Sequence, residues 1–254
     1  MNPTPRHVER ALHERVEIVP YDPAWPGLFA EEAARLRAAL PAALIGRIEH
    51  FGSTAVPGLA AKPIIDMLVE VRAMEDVAQH IAPLLQAQGY EFFWRAPEHG
   101  LPGMDYAWFI RRDAAGRRTH HIHFLEAGSS EWERLLFRDY LRAHPEAARA
   151  YGELKQRIAA EHPDDRVAYA KAKTRFVRAA MRAARTEVGG PGRASALGMH
   201  FPRSHSHLEI VVHIQYLMHS SCEPFENHVY SRLLGEEREC DAEGFPDELS
   251  GRNR

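Results

Sequence analysis

His50-Phe51-Gly52-Ser53-Thr54-Ala55-Val56-Pro57-Gly58-Leu59-Ala60-Ala61-Lys62-Pro63-Ile64-Ile65-Asp66-Met67-Leu68-Val69-Glu70-Val71 is the stretch on which the reading of this chain turns. Arg47 to Phe51 suits a strand that runs into Gly-Ser. Gly52 to Lys62 is small, polar and punctuated by Gly and Pro, which makes it a loop or a loop with one helical turn. Pro63 to Val71 is β-branched and apolar, the strongest strand signal in the chain, and it carries one acid near its start, Asp66. Gly52 permits close backbone approach to a ligand. The Ser53 hydroxyl, with Thr54 and neighbouring N–H groups, can hold phosphate oxygens. Asp66 can bind a hard divalent cation that bridges them. Together these are a minimal apparatus for in-line nucleotidyl transfer. Gly-Ser by itself reads equally well as an ordinary turn, and Asp66 as an acid at an exposed strand end.

Outward from this stretch the elements alternate. Val16 to Pro20 reads as a short entering strand, and Asp22 to Pro26 as a turn that starts a helix. That helix covers Leu28 to Leu40, with Leu28, Ala33, Leu36 and Leu40 near one face. Met74 to Gln88 reads as a helix closed by Gly89. Tyr90 to Trp94, Asp105 to Arg111 and Thr119 to Leu125 read as strands, the last two joined by a turn at Asp113 to Gly116. Glu131 to Arg142, Pro145 to Glu161 and Val167 to Arg185 read as helices, with Ser130 and Asp164 or Asp165 as N-caps. A mixed sheet in the first half and helices to cover it in the second define an α+β fold.

The strand at Thr119 to Leu125 contains His120, His121 and His123. His121 and His123 share one face, and His120 faces the other way. With Asp66 as third ligand, the pair suits a transition metal, Mn²⁺ or Zn²⁺, better than Mg²⁺ alone. The competing reading is a pair of structural hydrogen bonds or neutral contacts to substrate. Lys62 closes the loop within reach of a phosphate. Arg138 and Arg142 lie four apart, so both can face one anionic group, with a solvated helix face or an ion pair as the alternative.

The segment His50 to Val71 resembles the signature of the GrpB family of bacterial proteins. Further pieces match it: Thr119-His120-His121-Ile122-His123, Phe137-Arg138-Asp139-Tyr140-Leu141-Arg142, Tyr151 with Leu154-Lys155, and Tyr169 with Lys173 and Phe176. The resemblance spans about residues 14 to 184. It implies the polymerase β-like nucleotidyltransferase superfamily, and with it a nucleotidyltransferase-like mixed sheet packed with helices. The superfamily pattern places a second acid two residues after the first. Here that position is Leu68, which cannot bind a metal. Glu70 shares the face but stands roughly 6.6 Å further along the strand from Leu68.

Composition bounds the rest. Of 254 residues, 45% are hydrophobic, and the net charge is −3. Near-neutrality argues against bulk nucleic-acid binding. No run approaches the ~18 apolar residues of a membrane helix. The start, MNPTPRHVER, lacks the apolar core of a secretory signal, so a cytoplasmic protein is expected. Two cysteines, Cys222 and Cys240, supply no disulfide framework. A break falls at Gly189-Gly190-Pro191-Gly192. Residues 1–186 carry a small positive charge and all four lysines, whereas 187–254 are acidic. We expect a domain over 1–186 and an unrelated, disordered extension over 187–254.

The function expected is a metal-dependent nucleotidyltransferase-like protein that binds a nucleoside triphosphate and acts on an acceptor the sequence does not identify. Asp66, His121 and His123 are the expected catalytic and metal-binding residues. Gly52, Ser53, Thr54, Lys62 and Arg138 are the expected nucleotide contacts. Two rivals stand beside it: a non-catalytic nucleotide-binding accessory module, favoured by Leu68, and another phosphotransfer activity on the same fold.

Overall fold

The computed structural model describes residues 14–95 and 106–189. Helix α1 (Trp25–Ala39) leads into strand β1 (Ile45–Phe51). A 3₁₀ turn (Ser53–Ala55) and the loop to Ile64 connect β1 to β2 (Ile65–Val71). Helix α2 begins at Met74–Asp76, passes through a π-helical turn at Val77–Ile81 and ends as Ala82–Gln86. Strands β3 (Glu91–Arg95), β4 (Tyr106–Arg112) and β5 (Arg118–Glu126) follow. After a second 3₁₀ turn (Ser130–Glu133) come α3 (Arg134–Ala143), α4 (Pro145–Glu161) and α5 (Arg166–Gly189).

The five strands form one mixed sheet in the order β1-β2-β5-β4-β3. Only the β2–β5 pair is parallel, and the others are antiparallel. The fold is thus α+β as the sequence implies. Side chains alternate along β2, and each face has its own cover. Ile65, Met67, Val69 and Val71 point into the main core, against Trp25 and Leu36 of α1 and Val77, Ile81 and Leu85 of α2. Asp66, Leu68 and Glu70 take the other face. There Leu68 is fully buried with Leu125, Trp132 and Leu135. Helices α3, α4 and α5 build a second core against the loop residues Val56 and Leu59.

Several elements differ from the sequence expectation. Val16 to Pro20 forms no strand; its pairing is a single antiparallel bridge between Val19 and Ala61. That bridge ties the entering chain to the loop rather than to the sheet. Leu28 is exposed, and the inward stripe of α1 is instead Trp25, Glu32 and Leu36. A charged residue in that stripe hides it from an apolar count. Glu32 is satisfied inside by the Tyr90 hydroxyl and by Arg111 at 2.6 Å. The first C-terminal cap is Ser129, one residue before Ser130, and its Oγ accepts from the Glu131 N–H at 3.3 Å. Asp165 caps α5 through the Ala168 N–H at 2.9 Å. The expected disordered extension falls almost wholly outside the described residues, and α5 itself runs on to Gly189. Among the described residues no helix is long and apolar enough to cross a membrane.

Candidate functional site

Strand pairing brings the site together. In β1–β2 the partner of Asp66 is Phe51, and in β2–β5 it is His121, while Leu68 pairs with His123. The three expected ligands therefore sit on adjacent strands and one face. One ligand atom from each of Asp66, His121 and His123 lies within 4.8 Å of the others. His121 Nδ1 is 3.4 Å from Asp66 Oδ1. The two imidazoles meet edge to face at 5.8 Å. Exposure falls inward, from 28% for the Asp66 side chain to 16% for His121, and His123 is buried. His123 packs edge-on against Phe51.

Gly52 is fitted to this arrangement. Its φ is +73°, a conformation that strains any residue with a Cβ. A Cβ there would lie 2.5 Å from Asp66 Oδ2, so the loop backbone presses directly on the carboxylate.

The loop after Gly52 is held by its carbonyls. Arg138 Nη1 donates to the His50 carbonyl at 2.9 Å, and Arg142 Nε donates to that of Ala55 at 2.8 Å. The Lys155 ammonium donates to the Ala60 carbonyl, and the Thr54 hydroxyl to that of Ile64 at 3.3 Å. Because the Thr54 hydroxyl gives its proton to Ile64, it accepts from the ring N–H of His50 at 3.0 Å. Two expected nucleotide contacts are thereby relocated. Thr54 is buried, and its hydroxyl is spent inside the loop. Arg138 is engaged by Glu49, Asp139 and the His50 carbonyl. Both shape the loop rather than face the Asp66 carboxylate. Glu70 also stands apart: it pairs with Arg47 at 2.9 Å and lies against Gly46, so it does not replace the acid missing at position 68.

Electrostatics make the histidines neutral. Burial holds His121 and His123 well below the ordinary imidazole value, reinforced by Arg118 at His121 and by Arg134 at His123. Arg118 Nη1 lies 2.7 Å from His121 Nε2. A guanidinium only donates, so this nitrogen is the acceptor, and the His121 proton resides on Nδ1, toward Asp66. Burial raises the Asp66 carboxyl, against the opposing pull of His123 and Lys62.

Sequence reasoning missed one group. Lys155 and Lys173 are buried at 2% and 9% exposure, on α4 and α5. Lys173 Nζ sits 4.6 Å from the Tyr169 ring centre, and Lys62 Nζ sits 5.6 Å from the same centre. Lys155 Nζ is 4.7 Å from the Tyr151 ring centre. Lys62, Lys155 and Lys173 all feel the Asp66 charge. The chain has four lysines, and three of them gather here. That scarcity was the available signal.

The chain belongs to the GrpB family: the family model described as GrpB protein matches residues 15–183. It is 42% identical over 167 residues to the UPF0157 protein YqkA of Bacillus subtilis, covering 65% of this chain and 46% of that one. It is 43% identical over 166 residues to the UPF0157 protein PA4798 of Pseudomonas aeruginosa, covering 65% of each. The chain thus spans less than two thirds of either relative. A dephospho-CoA kinase of Mycolicibacterium paratuberculosis is 31% identical over 206 residues, with 72% of this chain matched to 48% of that enzyme. Among solved structures, the conserved protein GrpB from Enterococcus faecalis superposes with a TM-score of 0.59 at 35% identity, over 68% of this chain and 99% of that one.

Two predictions follow from this geometry. Gly52→Ala is expected to destabilise the protein by about 2 kcal/mol, since it adds both left-handed strain and a clash with Asp66; urea denaturation measures it. His50 is pushed down to about 4 by burial, with Asp66 opposing and Arg142 and Arg138 adding. A lowered histidine binds fewer protons folded than unfolded below its ordinary value. Its contribution is therefore complete above pH ~6.5 and is lost as pH falls toward ~4, on the order of 3 kcal/mol in all. His50→Gln should flatten the fall in melting temperature across that window.

Proposed function

We propose that the chain binds a nucleoside triphosphate at the Asp66 face and, with a divalent ion, serves nucleotidyl transfer in the manner of the polymerase β-like nucleotidyltransferases. The observation that carries this reading is the meeting of Asp66, His121 and His123 within 4.8 Å, at the foot of the Gly52-Ser53 loop and beside a group of buried lysines. One carboxylate and two neutral imidazoles suit Mn²⁺ or Zn²⁺ better than Mg²⁺. The spacing fits an ion. The His121 proton does not: ligation through Nδ1 requires that proton to leave, and its relocation to Nε2 breaks the bond from Arg118. When bound, the ion would supply Lewis-acid polarisation of a phosphoryl oxygen.

The chain's own residues do the rest. Ser53 opens the loop just after β1, where its hydroxyl can donate to a phosphate oxygen. Lys62 lies at the loop's end, where burial lowers its ammonium well below the ordinary lysine value, and a bound phosphate would favour its charged form. Asp66 is kept in place by Gly52 on one side and His121 on the other.

A non-catalytic nucleotide-binding module is the second reading. It is supported by Leu68, which stands in a fully apolar cluster where a second metal-binding acid would be. The dephospho-CoA kinase relative, about half of which is matched by this chain, fits an accessory role beside a phosphotransfer enzyme.

Calorimetric titration of the full chain with each nucleoside triphosphate, in Mn²⁺, Mg²⁺ or EDTA, tests the reading. We expect binding in Mn²⁺ that Asp66→Asn weakens at least tenfold, followed by release of pyrophosphate once an acceptor is supplied. Binding in Mn²⁺ that survives Asp66→Asn unchanged would remove the ion from the site. Failure of every triphosphate to bind would remove the nucleotide.

A further inference from the structure

We propose that Lys62, Lys155 and Lys173, gathered around the rings of Tyr169 and Tyr151, form a cradle for a chain of phosphates that binds without any metal ion. The inference deepens the nucleotide reading, resting on its phosphate half and not on its cation.

Lys155 and Lys173 are buried on separate helices, and Lys62 ends the loop that precedes β2. An ammonium is costly to bury unless a counter-charge or several acceptors receive it. Near these three, the acids that act on them are few. Asp66 acts on all three. Glu14 is committed elsewhere, to Arg112, to Arg118 at 3.0 Å and to Arg166 at 3.0 Å. Arg166 adds its own positive field to Lys62 and Lys173. Among the described residues none of the three lysines has a carboxylate within ion-pair distance. Among the described residues their ammonium groups meet the two tyrosine rings and one backbone carbonyl.

Three amines therefore share one acid, and burial lowers Lys62 and Lys155 well below the ordinary lysine value, so their charge waits on an anion. Burial pulls Lys173 down to about 8, a measure of how poorly its charge is met. A bound anion of charge two or more would meet it. Lysine suits this task, since it is a compact point charge that can approach phosphate oxygens from several directions. The two rings supply weak cation–π support that keeps the ammoniums oriented in the empty state. The arrangement recognises linked phosphates rather than a single one, because the cations come from three elements: the loop end, α4 and α5.

The probe is inorganic tripolyphosphate in EDTA, titrated into the full chain and its variants. Wild type should bind, and Lys173→Met and Lys62→Met should each weaken binding at least tenfold. Asp66→Asn should leave binding unchanged or tighten it, because a like charge is removed. A second readout separates a ligand site from a structural one. Removing an unmet buried charge should raise the melting temperature of ligand-free Lys173→Met by about 2 °C or more. Two results overturn the cradle: no tripolyphosphate binding in EDTA, or a Lys173→Met variant that melts lower and binds the probe as wild type does. If tripolyphosphate fails in EDTA while a triphosphate binds in Mn²⁺ and depends on Asp66, the cradle falls and the ion-centred reading stands. If tripolyphosphate binds in EDTA and no triphosphate needs Asp66, the reverse holds.

Discussion

Phe51, Asp66 and His121 stand in one row across three neighbouring strands, and the site depends on that register. A slip of one residue in β2 would turn Asp66 into the main core and Met67 out of it. The slip is prevented from both faces. Inward, Ile65, Met67, Val69 and Val71 are locked between α1 and α2. Outward, Leu68 is locked by Trp132 and Leu135. An acid so close to the core is tolerated because the strand around it has nowhere else to go. Gly52 then fixes the carboxylate from the third direction.

The helical half does more than cover the sheet. Arg138, Arg142 and Lys155 each reach back to a carbonyl at one end of or within the loop between β1 and β2. A loop rich in Gly, Pro and Ala has few side chains with which to define its own shape. Cations from α3 and α4 define it instead. The shape of the loop therefore depends on the packing of α3 and α4. This division also explains why Lys62 and Lys173 stand out. Arg138, Arg142 and Lys155 have carbonyl work to do, whereas those two rest on one tyrosine ring.

Much of the fold was legible from residue patterns. The run Pro63 to Val71 could be little but a buried strand, observed as Ile65–Val71, and Pro145 to Glu161 carries its own start in Pro145. The trio Asp66, His121 and His123 was also legible, because strand alternation puts both histidines on one face and an acid-bearing strand is the natural neighbour. Other features were hidden for identifiable reasons. Val16 to Pro20 alternates like a strand, yet pairing is a property of a neighbour, and here the segment has one bridge, Val19 to Ala61, and one further bond, from the Val16 N–H to the Pro163 carbonyl. Leu28 looked inward because Glu32, the real core position, is charged and satisfied by Tyr90, just before β3, and by Arg111 of β4. The bond from Arg138 to the His50 carbonyl was not legible, because no sequence pattern displays carbonyl acceptors. The burial of Lys155 and Lys173 was not legible, since it depends on how α4 and α5 pack around the loop.

The most direct test of the Asp66 face as a ligand site is a crystal structure of the full chain grown with Mn²⁺ and a non-hydrolysable nucleoside triphosphate, with anomalous diffraction to locate the metal. The account predicts a manganese peak among Asp66, His121 and His123, with the phosphate chain running toward Lys62 and Lys173. A triphosphate bound elsewhere on the molecule, with the Asp66 face empty of both metal and phosphate, would contradict it.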